Sequence, residues 1–155
     1  MMDGLMFSRL LDIPNGLAVL LFTRGQNSEL DWTAYCDAIR EAPRVLVGHP
    51  RPFALQVIDP SSSDPTAKWR REIANASEGV PPRATIAVVS QSRLVRGMIL
   101  AISWLRPPTY ALRIVATEDD ACELAQLGCP GRAAAARTLI RRLRQEQGGP
   151  PKAGG

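Results

Sequence analysis

Short aliphatic runs separated by helix-like segments constrain the fold of this chain most. Four such runs occupy residues 17–22, 53–58, 85–89 and 111–116, and each is mostly apolar, as expected of strands buried on both faces. Each run is followed by a segment whose apolar residues recur at helical spacing. Strands and helices that alternate in this way form βαβ units, so the sequence predicts an α/β fold with a largely parallel sheet.

The N-terminal part adds an antiparallel edge to this sheet. Asn15-Gly16, a strong hairpin signal, separates an extended segment at 7–11 from the run at 17–22. The predicted order is ββαβαβαβα with four to five strands, and a further helix follows at about 131–145. Pro43 is expected to end the first helix. Residues 45–47 are then either a short strand or part of the connection.

Composition favours one cytoplasmic domain. The chain has 155 residues, 45% of them hydrophobic, which is enough for one core. No apolar run approaches the ~20 residues that span a bilayer, and no secretory signal is evident. The expected organisation is a main domain at 1–127, a basic helix at 128–145 and a disordered tail at 146–155. Residues 131–155 hold six of the 19 basic residues and one of the 15 acidic ones, so the basic excess lies there.

Signatures of catalysis and of cofactor binding are absent from the sequence. The only histidine is His49, and no Gly-x-Ser-x-Gly, Walker A or Gly-x-Gly-x-x-Gly motif occurs. Cys36, Cys122 and Cys129 lack the spacing of a zinc site and are typical of reduced thiols. A redox pair between Cys122 and Cys129 is the alternative. We therefore expect no catalytic residue, no metal and no cofactor.

Four segments in the second half resemble a known family. They are residues 86–90 (IAVVS), 94–97 (LVRG), 104–105 (WL) and 114–117 (IVAT), the last followed by an acidic, alanine-rich helix. In order and spacing they resemble SpoIIAA-like STAS domains, the family named from sulfate transporters and anti-sigma factor antagonists. The topological match covers about 7–127. The resemblance implies a four- or five-stranded sheet with helices on one main face, and a cytoplasmic regulatory or ligand-binding role.

A serine run lies where phosphorylatable members of that family carry Asp-Ser-Ser-Gly, between the third strand and the second helix. Residues 59–64 read DPSSSD here, so Ser61, Ser62 and Ser63 stand in the right region, but the Ser-Gly ending is missing. One hypothesis is a phosphosite at a helix start, where negative charge is favoured. The other is a turn in which Ser63 or Asp64 caps a helix beginning at Pro65.

The helix predicted at 92–105 carries the best candidate site. One side is expected to be core, and it collects six apolar residues: Leu94, Val95, Met98, Ala101, Ile102 and Leu105. Leu100 and Trp104 fall on the opposite side with Arg93, Arg96 and Gly97, and exposed Trp and Arg are favoured interface anchors. This pattern predicts a partner-binding surface. The alternative is that the loop at 106–110 folds back and covers Trp104.

The last helix is the second candidate surface. Leu139, Ile140 and Leu143 form a narrow apolar stripe, and the arginines around it are Arg132, Arg137, Arg141, Arg142 and Arg144. Arg137, Arg141 and Arg144 are the candidate contacts to an anionic surface. The favoured interpretation is a helix docked by its three aliphatic residues, with solvated arginines outside, so nucleic acid and membrane are not the expected partners.

These observations predict a non-catalytic regulatory module that binds a protein partner. A second copy of the same chain is one such partner. The alternative is a small apolar-ligand or lipid carrier, which requires an enclosed apolar pocket. The third hypothesis is an enzyme, which would need convergent polar groups with perturbed pKa values in a cleft. The fourth is a protein that binds an anionic surface through residues 131–145.

Overall fold

The computed structural model describes residues 7–23, 27–59 and 65–147. It contains a five-stranded sheet, and the predicted α/β fold class and element order are confirmed. The strands are β1 (Phe7–Asp12), β2 (Leu17–Phe22), β3 (Phe53–Ile58), β4 (Thr85–Val89) and β5 (Ala111–Val115). Their order in the sheet is their order in the chain. β1 pairs antiparallel with β2, and all other pairs are parallel. This architecture is consistent with a STAS-like fold that ends in an additional helix.

The hairpin closes through a turn that glycine permits. Gly16 has φ +61°, a left-handed conformation that side chains disfavour. A Cβ on Gly16 would also lie 2.3 Å from the ring of His49, so the histidine packs directly over this glycine. Nδ1 of His49 accepts a hydrogen bond from the backbone N–H of Arg51 at 3.0 Å. The single histidine therefore shapes the loops at the amino ends of the strands.

Five helices connect or follow the strands. They are α1 (Glu29–Val45), α2 (Ala67–Ala76, followed by a 3₁₀ turn at Ser77–Gly79), α3 (Arg93–Leu105), α4 (Glu118–Gly128) and α5 (Arg132–Gln147). Ser28 and Asp31 form a capping box at the start of α1. Thr66 caps α2, so the predicted cap at Ser63 or Asp64 is wrong.

Pro43 does not end α1, contrary to the prediction. It lies in the last turn, and the helix continues to Val45. Proline costs a helix one N–H hydrogen bond and crowds the preceding turn. The helix nevertheless ends with a regular hydrogen bond, in which the backbone N–H of Leu46 donates to the carbonyl of Ala42 at 2.8 Å. Residues 45–47 are thus the end of the helix and a turn, and they form no strand.

The sheet is covered on both faces. Helices α1, α2 and α3 lie on what we call the first face, and α4 and α5 lie on the second face. Each of the three crossover connections leads to the next strand in the same direction across the sheet. Because such connections share the same handedness, their helices lie on the same face. The resemblance implies helices on one main face, but α4 and α5 follow the last strand and cover the other face. The second-face core contains strand residues and helix residues: Val19, Leu21, Leu55, Val57, Ala121, Ala125, Ala136, Leu139, Ile140 and Leu143.

Helix α5 belongs to this core. Leu139, Ile140 and Leu143 are buried against the sheet, as the docked-helix interpretation predicts. The helix extends to Gln147, whose Nε2 donates to Oγ of Ser8 at 2.6 Å. The remainder of the predicted tail, 148–155, lies outside the described residues.

Candidate interaction surface

Helix α3 is attached to the domain by one narrow side. Ser92 caps the helix through a hydrogen bond from the backbone N–H of Val95 at 3.2 Å. Val95 is the only buried residue of α3. Ile99 and Ile102 are half-buried against the first-face core, and the helix packs chiefly on α2. The inner side therefore holds α3 in place with few contacts.

The outer side of α3 is apolar and exposed. Trp104 is 80% exposed, Leu94 69%, Leu105 57% and Leu100 51%. The expectation that Leu94 and Leu105 lie in the core is therefore wrong. The exposed apolar surface thus extends around α3 from Leu100 and Trp104 to Leu94 and Leu105, and large exposed apolar patches are typical of interaction sites. We call the set of Arg93, Leu94, Arg96, Gly97, Leu100, Trp104 and Leu105 the α3 surface.

The position of α3 in the fold explains this exposure. The helix is the crossover to β5, which is the last strand of the sheet. A neighbouring helix, α2, covers it on one flank only. Beyond β5 no further element of the described chain packs against α3, so its outer half meets solvent.

The loop after α3 does not cover Trp104. Arg106 turns toward the helix layer, where its guanidinium contacts Glu78 at 2.5 Å and donates to Asn75 at 3.2 Å. Tyr110 packs against the first-face core, and burial raises the pKa of its hydroxyl. The alternative in which residues 106–110 shield the tryptophan is thus contradicted by the arrangement of the loop.

The α3 surface is positively charged. Arg93 and Arg96 are exposed, and neither forms an ion pair with a residue that the structure describes. α3 contains no acidic residue. Gly97 is exposed as well, and a Cβ at this position would meet no atom within 4 Å. Packing among the described residues therefore gives no reason for a glycine there.

The basic helix α5 presents fewer free charges than its sequence indicates. Nη1 of Arg144 contacts Oε1 of Glu118 at 2.8 Å, and this hydrogen bond raises the pKa of Arg144. Arg137 lies 3.5 Å from Asp119. Arg141 is exposed. Two of the three predicted anionic-surface contacts thus form ion pairs with acidic residues in the first turn of α4.

Arg132 contradicts the expectation of a solvated arginine. Its side chain is buried at 2% exposure. Nε donates to the carbonyl of Ala125 at 3.0 Å, and Nη1 donates to those of Asn15 and Arg51 at 3.1 and 2.7 Å. Burial lowers its pKa. This arginine joins α5 to two loops and is structural.

A cleft of about 660 Å³, lined by both polar and apolar residues, lies at the carboxyl ends of the parallel strands. Ligands of open α/β sheets bind at this end. The wall of the cleft includes the ion pair of Glu118 and Arg144, with Ser90 and Gln91 nearby. Glu118 and Arg144 pair with each other, and Asp59 also lines the cleft.

The interior offers little room for a ligand. Two apolar cavities are found on the first face among the described residues, and each holds about 40 Å³. A water molecule occupies ~30 Å³ in the liquid, whereas ligand pockets measure ~300 Å³ or more. These cavities give the ligand-carrier alternative no support.

Burial shifts two cysteines and one tyrosine toward their neutral forms. Burial raises the pKa of the Cys36 thiol to about 11, and it also raises the pKa values of Cys122 and Tyr35. Tyr35 donates to Oε1 of Gln56 at 2.7 Å inside the core. All three cysteines are free thiols. Raised thiol pKa values make the buried cysteines poor nucleophiles.

The structure does not test the phosphosite hypothesis, because Ser61, Ser62 and Ser63 lie outside the described residues.

Among the described helices, none is both long and apolar enough to cross a membrane. No family model, curated protein or solved structure matches this chain.

Proposed function

We propose that this chain is a non-catalytic interaction module of STAS-like type, and that its α3 surface binds a protein partner in a regulatory role. The observation that carries the proposal is the exposure of Trp104 beside Leu100 on a helix that buries only Val95. Tryptophan and arginine are the residues that contribute most often to binding hot spots, and both are present on this surface.

The remaining surfaces favour the same function. The arginines of α5 that were candidates for anionic contact are largely paired with acids of α4. The interior cavities on the first face are too small for a lipid. On the α3 surface, exposed apolar side chains lie beside arginines that form no ion pair with a described residue.

Position-specific photo-crosslinking tests this proposal. A photoreactive amino acid replaces Leu100 in the full chain, expressed in the cells that make the protein. The matched control carries it at Leu127, which is 80% exposed on α4 and lies on the second face. We expect protein adducts from position 100 that position 127 does not give.

Trp104→Ala should then reduce the adduct yield at position 100, with association weakened by ~2 kcal/mol or more, as for buried aromatic anchors. Because Trp104 is exposed, its removal should leave the unfolding transition unchanged. Equal adduct patterns at positions 100 and 127, or adducts that survive Trp104→Ala, would refute an α3-based interaction.

A further inference from the structure

Four exposed residues on α3 follow the spacing of a helix–helix seam. Arg93, Gly97, Leu100 and Trp104 are separated by four, three and four positions, so they lie in one line along the helix. This is the a/d spacing through which two helices pack side by side. All four are exposed in the single chain.

The line is complementary to itself when it is reversed. If α3 lies antiparallel on a second α3, with the centre midway between Gly97 and Leu100, then Gly97 of each copy faces Leu100 of the other. Arg93 of each copy faces Trp104 of the other. The leucine thus enters the gap that glycine leaves, and the guanidinium lies over the indole ring, a favourable cation–π arrangement.

We infer that a second copy of this chain occupies the α3 surface, in an antiparallel pair of α3 helices related by a two-fold axis. The inference rests on the proposed function, for which it names the partner. It explains the exposed glycine: an interior helix position disfavours glycine, and no contact with a residue of the described ranges requires it there.

The charges of the α3 surface are compatible with self-association. At 1.5 Å per residue, the two Arg93 residues lie about 16 Å apart along the axis, beyond the Debye length of ~8 Å at physiological salt. Arg96 lies beside the seam, and the two copies of it come within about 8 Å along the axis. Added salt should therefore tighten the dimer modestly. An acidic partner protein would instead be released by salt.

The expected dimer is weak. One 13-residue helix from each copy makes an interface below the ~1,200 Å² of standard complexes. We expect a dissociation constant on the order of 10 µM.

Sedimentation equilibrium of the full chain from about 1 µM to 1 mM measures this association. The wild type and Leu127→Ala should approach twice the chain mass with equal affinity. Trp104→Ala should weaken the dimer ~30-fold or more. Gly97→Ala fits the single chain, so it should leave unfolding unharmed or improved, while the two added methyl groups fill the gap and weaken the dimer ~10-fold.

Disulfide trapping tests the register. The background is Cys129→Ser, because Cys36 and Cys122 are buried. A mixture of Gly97→Cys and Leu100→Cys chains should form a covalent dimer faster than either variant alone, because only the mixture places two thiols opposite each other across the axis. A parallel pair would instead trap each variant with itself, which would contradict the register.

The outcomes separate this inference from the proposed function. A wild type that stays monomeric at 1 mM, or a dimer that salt weakens or that Trp104→Ala leaves intact, overturns the inference. Adducts of position 100 with other proteins would then keep the proposed function. If position 100 gives no adducts and the chain is monomeric, both fall.

Discussion

Helices α3 and α5 lie on opposite faces of one sheet and differ in how much of their apolar surface the fold covers. α5 is rich in arginine, yet it buries Ala136, Leu139, Ile140 and Leu143. α3 is the more apolar helix and buries only Val95. The helix with the weaker apolar pattern is thus the better covered one.

Location in the sheet accounts for the difference. α5 packs over β1 and β2 and beside α4, so its apolar stripe meets two neighbours. α3 leads to the edge strand β5 and has α2 as its main contact. A helix rich in apolar residues is able to be buried. It becomes buried only where neighbouring strands and helices pack against its apolar side. Apolar surface that a fold leaves uncovered is available for a partner.

Leucine truncation should give the largest contrast between the two helices. Leu143→Ala removes a fully buried side chain and should lower the free energy of unfolding by ~2–5 kcal/mol. The matched change, Leu100→Ala, should alter it by ~0.5 kcal/mol or less because half of that side chain is already exposed. Urea unfolding at a concentration well below 10 µM measures both. Similar losses in the two variants would show that α3 is covered.

Arginine replacement should give the second contrast. Arg132→Met keeps the apolar stem but leaves the carbonyls of Asn15, Arg51 and Ala125 without their donor. We expect a loss of ~2 kcal/mol in unfolding free energy, the cost of buried unsatisfied groups less the relief of a buried charge. Arg93→Met on α3 should change stability by less than ~0.5 kcal/mol. A fully stable Arg132→Met protein would mean that water satisfies those carbonyls.

The smallest effect concerns the exposed ion pair of α5. Arg144→Met breaks its contact with Glu118 and should cost ~0.2–1 kcal/mol at low salt, with the cost vanishing near 1 M salt. Arg96→Met on α3 should lower stability in neither low nor high salt, because no described residue pairs with Arg96. Thermal unfolding of the variants in low and high salt measures this. A salt-independent loss at Arg144 would point to packing of its stem.

The strands were the most predictable part of the fold. Runs such as Thr85–Val89 are continuous, β-branched and bounded by turn residues, and their observed limits agree with the prediction to within one residue. The predicted end of α1 at Pro43 was wrong. A proline in the last turn removes only one hydrogen bond, so the helix continues past it. Local propensity thus located the elements better than it located their ends.

The candidate site was predictable in part. The pattern placed Leu100 and Trp104 on the outer side of α3, but it assigned Leu94 and Leu105 to the core. Apolar residues occupy most of the circumference of this helix, so spacing alone selects no single buried face. The burial of Arg132 had no local signal, since two of its three acceptors, Asn15 and Arg51, come from distant positions of the chain.

The return of α5 to the first strands has a consequence for biosynthesis. Roughly 110 residues separate the end of β2 from the start of α5, and ribosomes add about 5–20 residues per second. For about 5 to 20 s the emerging hairpin therefore lacks the helix that shields Val19 and Leu21, although a hairpin itself forms in about 10 µs. Until translation reaches the last helix, Val19 and Leu21 therefore lack this cover, and pairing of β2 with β3 extends the sheet without covering its second face.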